Sequence, residues 1–266
     1  MAIRAICVSF PVLVHAYEGP GFIDFLEAKR RPFPRRLIGW YSDTELKIQE
    51  TRKRKISNEE RLDQIYGIVN EDLLRKGYIG LRDLRSWTEE YAKGVAPYLE
   101  KEVLDPIAES RRKEGGLQLA VIGPTSANEG VVRELLKQGG YSGTGRDGRN
   151  LFDIAANGIE KTSDGNSTRH FSLDINGGDS RRGRLIAEIE KSHLQAKLQP
   201  EEVAFVGFSE EDKGCMDYVK EKGGRVIVYS GAAKEFKEKT AEAFGSSIKP
   251  YLGGFWDVVS SLEKTD

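Results

Sequence analysis

Leu117-Gln-Leu-Ala-Val-Ile122 is an apolar run broken by a single polar residue. Such runs suit strands of a parallel sheet covered on both faces. A helical pattern follows. Ser126 stands three residues before Glu129, the spacing of a capping box, and Val131, Val132, Leu135 and Leu136 supply one apolar face. Gly139-Gly140 ends that helix. The same alternation recurs downstream. Val203-Ala-Phe-Val206 reads as a short buried strand, Ser209 opens a helix with Cys215, Met216 and Val219 on its apolar side, Gly223-Gly224 closes it, and Val226-Ile-Val-Tyr229 is the next strand. Strands alternating with helices argue for a doubly wound α/β sheet.

Outward from this region the chain divides into three stretches. Residues 1–14 hold one strand, Ile3 to Ser9, and its exit turn. Residues 15–112 are polar and mostly helical, an insertion between that strand and the rest of the sheet. Residues 113–266 complete the α/β core, with a more exposed ribbon strand at Phe171-Ser-Leu-Asp-Ile175 and a last helix from Gly254 to Leu262. In the insertion, Phe22, Ile23, Phe25 and Leu26 open an amphipathic helix, Pro32 and Pro34 break the chain after it, and Leu81, Leu84, Trp87, Tyr91 and Pro97 mark further helices or their ends.

Composition narrows the function classes. The chain has 266 residues, 38% hydrophobic and 31% charged, enough apolar content for a core. Lys+Arg 41 against Asp+Glu 42 leaves a net charge of −1, so binding to a polyanion needs a local patch. Two cysteines, Cys7 and Cys215, exclude a disulfide framework and a cysteine-based zinc site. Heavy Lys, Glu and Arg use with few Cys and Met fits a thermophile's intracellular protein. The longest apolar stretch, Ala5 to Val14, is about half of the ~20 residues a membrane span needs. As a signal peptide it is poor, with only Arg4 as its charged region and Pro11 inside it. The expectation is a cytoplasmic protein with no membrane contact.

An N-terminal strand, a helical insertion and then a Rossmann-like sheet resembles the layout of the haloacid dehalogenase (HAD)-like superfamily. Glu202-Val-Ala-Phe-Val-Gly-Phe-Ser-Glu-Glu-Asp212 looks like its fourth motif, a strand ending in Gly-Asp with an acidic residue four positions on. Leu119-Ala-Val-Ile-Gly-Pro-Thr-Ser126 is similar to the second, a strand ending in Ser or Thr. Ile6-Cys-Val-Ser-Phe-Pro-Val-Leu13 stands where the first, Asp-x-Asp-Gly-Thr/Val, belongs. Leu151 to Ile189, with Ile175-Asn-Gly-Gly-Asp-Ser-Arg-Arg-Gly-Arg184, looks like the phosphoserine-phosphatase-like branch, in which a lysine opens a helix.

The resemblance implies a specific chemistry. A carboxylate at the end of the first strand attacks a phosphoryl group and becomes an aspartyl phosphate. A second carboxylate two residues on protonates the leaving group. Mg²⁺, held by carboxylates, neutralises phosphate charge, and a lysine and a hydroxyl hold the oxygens. Here the nucleophile position is Ser9 and the acid position is Pro11. Gly123 takes the second-motif hydroxyl position, Ser180, Arg181 or Arg182 the lysine position, and Phe208 the metal-binding aspartate position. Asp212 alone survives among the expected acids, and it is placed to cap the helix that Ser209 begins. Losses at four motifs, with bulky apolar replacements, predict a chain that does not run this reaction. No metal or cofactor is expected, and Mg²⁺ enters only under the alternative of a divergent phosphatase. Thr125 and Ser126, with free N–H groups at the start of their helix, remain an anion-binding candidate together with Arg182. His15 and His193 have no motif around them.

One local charge excess stands apart. Lys29, Arg30, Arg31, Arg35, Arg36, Arg52, Lys53, Arg54 and Lys55 cluster in the insertion; residues 29–55 hold ten Lys/Arg against Asp43, Glu45 and Glu50, an excess of seven. With Trp40 and Tyr41 between the clusters, this patch reads either as a solvated helix face or as a binding surface for single-stranded nucleic acid. Three functions are therefore carried forward: a catalytically inactive HAD-like binding or scaffold subunit with a protein partner, a divergent hydrolase, and a nucleic-acid-associated protein.

Overall fold

The structure is a computed structural model and describes residues 3–30, 38–56, 64, 68, 81–157, 159–161, 167–171, 183, 185–187, 189 and 198–244. Its frame is a five-stranded parallel sheet in the order β3-β2-β1-β6-β7. The strands are β1 (Ala5–Val8), β2 (Leu119–Asn128), β3 (Asp153–Asn157), β6 (Val203–Gly207) and β7 (Arg225–Val228). A separate antiparallel ribbon joins β4 (Ile159–Lys161) to β5 (Ser167–Phe171). The expected ribbon strand meets this one only at Phe171; residues 172–175 and the helix expected over 254–262 lie outside the described residues.

β1 is the centre because every residue in it is buried and because it pairs on both sides. Ala5 and Val8 face Leu119 and Ile122 in β2, and Val203 and Val206 in β6. One face of the sheet packs Ile6, Val8, Ile122 and Val206 against helix α5 (Lys101–Arg112) through Val103, Leu104 and Ile107. The other face packs Cys7, Val121 and Phe205 against α7 (Lys213–Glu221) through Cys215, Met216 and Val219, and against Phe236 of α8 (Lys234–Phe244).

The insertion forms its own apolar cluster. Phe22 and Leu26 of α2 (Phe22–Arg30), Ile48 of α3 (Ile38–Lys53) and Leu84, Ala92 and Val95 of α4 (Leu81–Val95) close on Val131 and Leu135 of α6 (Glu129–Gln138). Helix α5 lies within residues 15–112 by sequence, yet its side chains belong to the core of the sheet. By packing, the chain rejoins the sheet layer at Leu99.

The strand expected over Leu117–Ile122 runs on to Asn128, and this moves the start of the following helix. Asn128, not Ser126, is the N-cap of α6, and its Oδ1 accepts from the Val131 N–H at 3.2 Å. Thr125 and Ser126 therefore stand in β2 rather than at a helix start.

Arg111, 3% exposed, ties the layers together. Its guanidinium donates to the carbonyls of Leu117 (3.2 Å), Gln118 (2.6 Å), Asn150 (3.0 Å) and Leu151 (3.4 Å) and to both oxygens of Asp147. One planar fork thus joins the end of α5, the approach to β2 and the approach to β3. Burial works against the Asp147 carboxylate, but the Arg111 hydrogen bonds, the Arg149 N–H and the two cationic charges outweigh it and hold its pKa below the usual carboxylate range. Arg111→Met is expected to lower the unfolding free energy by about 3–5 kcal/mol, since it orphans several buried acceptors. The contribution of Asp147 is present above the ordinary carboxylate value of ~3.9 and lost as pH falls through its lower folded value. Urea denaturation against pH checks both. An Arg111→Met variant as stable as the parent, or an acid limb unchanged in Asp147→Asn, contradicts the assignment.

Candidate functional site

Ser9, Gly123 and Gly207 each lie one step past the mutually paired Val8, Ile122 and Val206. The register therefore sets the first, second and fourth sequence motifs side by side at the carboxyl ends of the three central strands. The strand order reverses direction at β1, which makes this end the switch-point crevice of the sheet.

Ser9 closes β1 and is fully buried. Its N–H donates to Val206, and its carbonyl accepts from Val12 in the one-turn helix α1 (Phe10–Leu13). Its hydroxyl makes no cap bond to α1 and instead donates to Asp212 Oδ1 at 2.8 Å. Asp212 is 1% exposed, and its Oδ2 accepts from the N–H groups of Phe208 (2.7 Å) and Ser209 (3.1 Å). The capping box expected from Ser209 and Asp212 is thus present, and Asp212 carries a second duty that sequence could not show. A hydrogen bond to a buried carboxylate contributes on the order of 1.5–3 kcal/mol.

The other motif positions have structural employment. Pro11 stands in the first turn of α1, where its missing N–H is not needed. Gly123 has φ +113°, and a Cβ there would stand 2.2 Å from the Ala155 carbonyl oxygen of β3. No side chain fits at that position, so no hydroxyl can be carried on it. Thr125, 4% exposed, uses its Oγ1 to accept from the Ala127 N–H at 3.1 Å. Arg182 lies outside the described residues, and Thr125 and Ser126 stand in β2, not at the helix start that the expected anion site required.

Three rings close over the ends of β6 and β7. Phe208 follows Gly207, and its ring centroid is 6.3 Å from Tyr229 and 6.4 Å from His15; His15 meets Tyr229 edge-on at 5.0 Å. The Tyr229 hydroxyl donates to Glu100 Oε2 at 2.8 Å. Phe208 packs against the clusters on both faces of the sheet, so its ring seals the rim of the core. His15 and Glu100 escaped the sequence reading because their partners lie 85 or more positions away in the chain.

These residues do not fit Mg²⁺. A hard cation needs several oxygen ligands. The first motif offers a hydroxyl already donated to Asp212, Phe208 offers none, and both Asp212 oxygens accept hydrogen bonds from the protein. Among the described residues no three His, Cys, Asp or Glu side chains converge on a cation position.

In the insertion, the basic patch is partly neutralised. Lys29 pairs with Glu90, Arg52 with Asp24, and Arg54 donates to Gln64 Oε1 at 3.0 Å. Arg30 lies in α2, Lys53 ends α3 and Lys55 is exposed, while Arg31, Arg35 and Arg36 lie outside the described residues.

No family model matches the chain, and neither does any curated protein. Solved structures do. A protein with unknown function from Bordetella pertussis Tohama I superposes with a TM-score of 0.58 at 16% identity, covering 93% of this chain and 98% of that one. A HAD-family hydrolase from Salmonella enterica serovar Typhi gives 0.51 at 10% identity, covering 100% of this chain and 73% of that one. A phosphoserine phosphatase, solved as a phospho-aspartyl intermediate analogue, gives 0.50 at 14% identity over 98% and 99%. The fold is therefore the HAD-like α/β fold that the motif order implied.

Ser9→Ala is expected to cost about 1–3 kcal/mol by removing the buried hydroxyl that donates to Asp212. Gly123→Ser, which restores the motif hydroxyl, is expected to cost more, because its Cβ collides with backbone. Urea titration of both variants ranks them; the reverse order, or a neutral Ser9→Ala, defeats the site as described.

Proposed function

We propose that this chain is a HAD-fold protein that has lost phosphoryl transfer and acts by binding, with another protein as its partner. The observation that carries this reading is the Ser9–Asp212 hydrogen bond. In the reaction implied by the resemblance, these two positions are a phosphoryl-accepting carboxylate and a carboxylate beside the metal. Here one is a buried donor and the other its buried acceptor, so neither presents a free oxygen to a phosphate or a cation. Among the described residues, the base bonded to the Ser9 hydroxyl is a carboxylate already shared with two backbone N–H groups. Pro11 carries no proton to give a leaving group. The Phe208 ring occupies the rim where the metal ligand would stand.

The hydrolase alternative needs oxygen ligands that these positions lack, and the nucleic-acid alternative loses part of its charge to Glu90 and Asp24.

Two measurements test the reading. Hydrolysis of a small phosphate ester with millimolar Mg²⁺ is expected to stay at background. Turnover abolished by Asp212→Ala overturns the proposal in favour of the hydrolase. The combined change Ser9→Asp, Pro11→Asp and Phe208→Asp is expected to restore Mg²⁺ binding in a folded but less stable protein, whereas each single change does not, because nucleophile, acid and metal act as a unit. Removing a fully buried phenylalanine ring costs about 3–5 kcal/mol and the partly buried Phe208 less, and clustered carboxylates resist ionising together without the metal. A folded triple variant with no Mg²⁺ response in calorimetry shows that the three positions do not converge as the register indicates.

A further inference from the structure

A row of aromatic rings, Phe22, Phe25, Tyr91, Tyr17 and Tyr98, runs along the insertion. Phe22 and Phe25 of α2 meet Tyr91 of α4 at centroid distances of 5.2 and 5.3 Å. Tyr17, from the segment after α1, stands at 87° to Tyr91 at 6.3 Å and at 63° to Tyr98 at 5.4 Å. The segments that carry Tyr17 and Tyr98 are tied beside each other, since the Glu100 N–H donates to the Leu13 carbonyl at 2.8 Å. The bare backbone of Gly19 packs on the phenol end of Tyr17, where a Cβ would stand 2.4 Å from Cζ and from the hydroxyl oxygen. The two ends of the row differ. At the α2 end, Lys29 Nζ stands 5.4 Å from the centroid of the Phe25 ring, anchored by Glu90. At the other end Tyr17 and Tyr91 are half-buried and Tyr98 is 48% exposed. Among the described residues no cation lies over these three rings, and no hydrogen bond engages their hydroxyls.

We propose that Tyr17, Tyr91 and Tyr98 form a docking corner for an arginine side chain of the partner protein. A guanidinium is planar, weakly hydrated and carries a fork of N–H donors. It can therefore lie on a ring face and donate to phenol oxygens at once, whereas a lysine offers only a point charge. Lys29 on Phe25 shows this row of rings already holding a cation within the chain. Tyr98 supplies the large, exposed aromatic anchor that interface hot spots favour. The groups that act on the phenols are themselves not cationic. Burial first, then Tyr17 and Asp24, push Tyr91 up to about 12, and burial, then Tyr98, pushes Tyr17 up. Both rings therefore stay un-ionised at neutral pH, with hydroxyl oxygens able to accept. This docking role rests on the binding of a protein partner as the function, and it uses neither Ser9 nor Asp212.

Titration of the full chain with acetylarginine amide, followed through the tyrosine ring resonances by NMR, tests the corner. Saturable shifts are expected on Tyr17, Tyr91 and Tyr98. Acetylcitrulline amide, which has the same shape without the charge, is expected to bind about fivefold more weakly or less, and acetyllysine amide about two- to fivefold more weakly. Tyr98→Leu, at an exposed position, is expected to weaken the arginine probe about two- to fivefold. Shifts that do not saturate, a citrulline or lysine probe that binds as tightly as arginine, or unchanged binding in Tyr98→Leu overturns the corner. Should Tyr98→Leu fail to fold, the arginine–citrulline comparison on the parent chain decides alone. Phosphate-ester turnover by the parent chain would overturn the binding function while leaving these shifts in place, so the two failures are told apart.

Discussion

Ser9 and Asp212 are separated by most of the sheet in sequence, and the 2.8 Å bond between them fixes how the two central strands end. A buried carboxylate is tolerated only where donors surround it. Here β1 supplies the hydroxyl, and the turn after β6 supplies two N–H groups. The turn must therefore wrap the aspartate, which in turn aims Phe208 outward over the rim and starts α7 at Lys213. The end of the two strands follows from that one arrangement: a hydroxyl and a carboxylate bonded to each other in the interior, with the Phe208 ring packed over them at the rim of the core.

The same economy appears in the second motif. Gly123 brings β2 so near to Ala155 that β3 can join the sheet even though its strand is short and two of its five residues are alanine. A side chain at Gly123 and a β3 held at this distance are mutually exclusive. The bare backbone at position 123 is therefore a packing requirement. Pro11 and Thr125 have been absorbed in the same way, one into a helix start and the other into a local turn.

The elements legible in sequence were those whose signal is local. β1, β6 and α7 follow from contiguous apolar runs and a capping box; β1 is shorter (Ala5–Val8) than the strand expected over Ile3–Ser9, and Ser209 caps the turn Glu210–Asp212, behind which α7 begins at Lys213. β2 was read too short because Gly123-Pro124 looks like a strand end, whereas the chain continues extended to Asn128. β3 escaped because Asp153-Ile-Ala-Ala-Asn157 has neither a long apolar run nor strong strand formers; its pairing with β2 makes it a strand. Helix α5 was assigned to the insertion from its position in the chain, yet Val103, Leu104 and Ile107 form a stripe that only the sheet could use. Of the site, the motif positions were readable and their convergence was implied by the strand pattern. The bonds around them were not, because Ser9 to Asp212 and Arg111 to Asp147 each join residues far apart in the chain.

The adjacency of Leu13 and Glu100 has a further meaning for how such a chain can change. An insertion whose entry and exit lie one hydrogen bond apart adds almost no separation for the host strands to bridge. Its length and content can drift without altering the pairing of β1 with β2 or β6. What restrains it is the apolar contact of α4 with Val131 and Leu135 on α6. The face of α6 at Val131 and Leu135 is thus the surface that any change in the helical module has to keep covered.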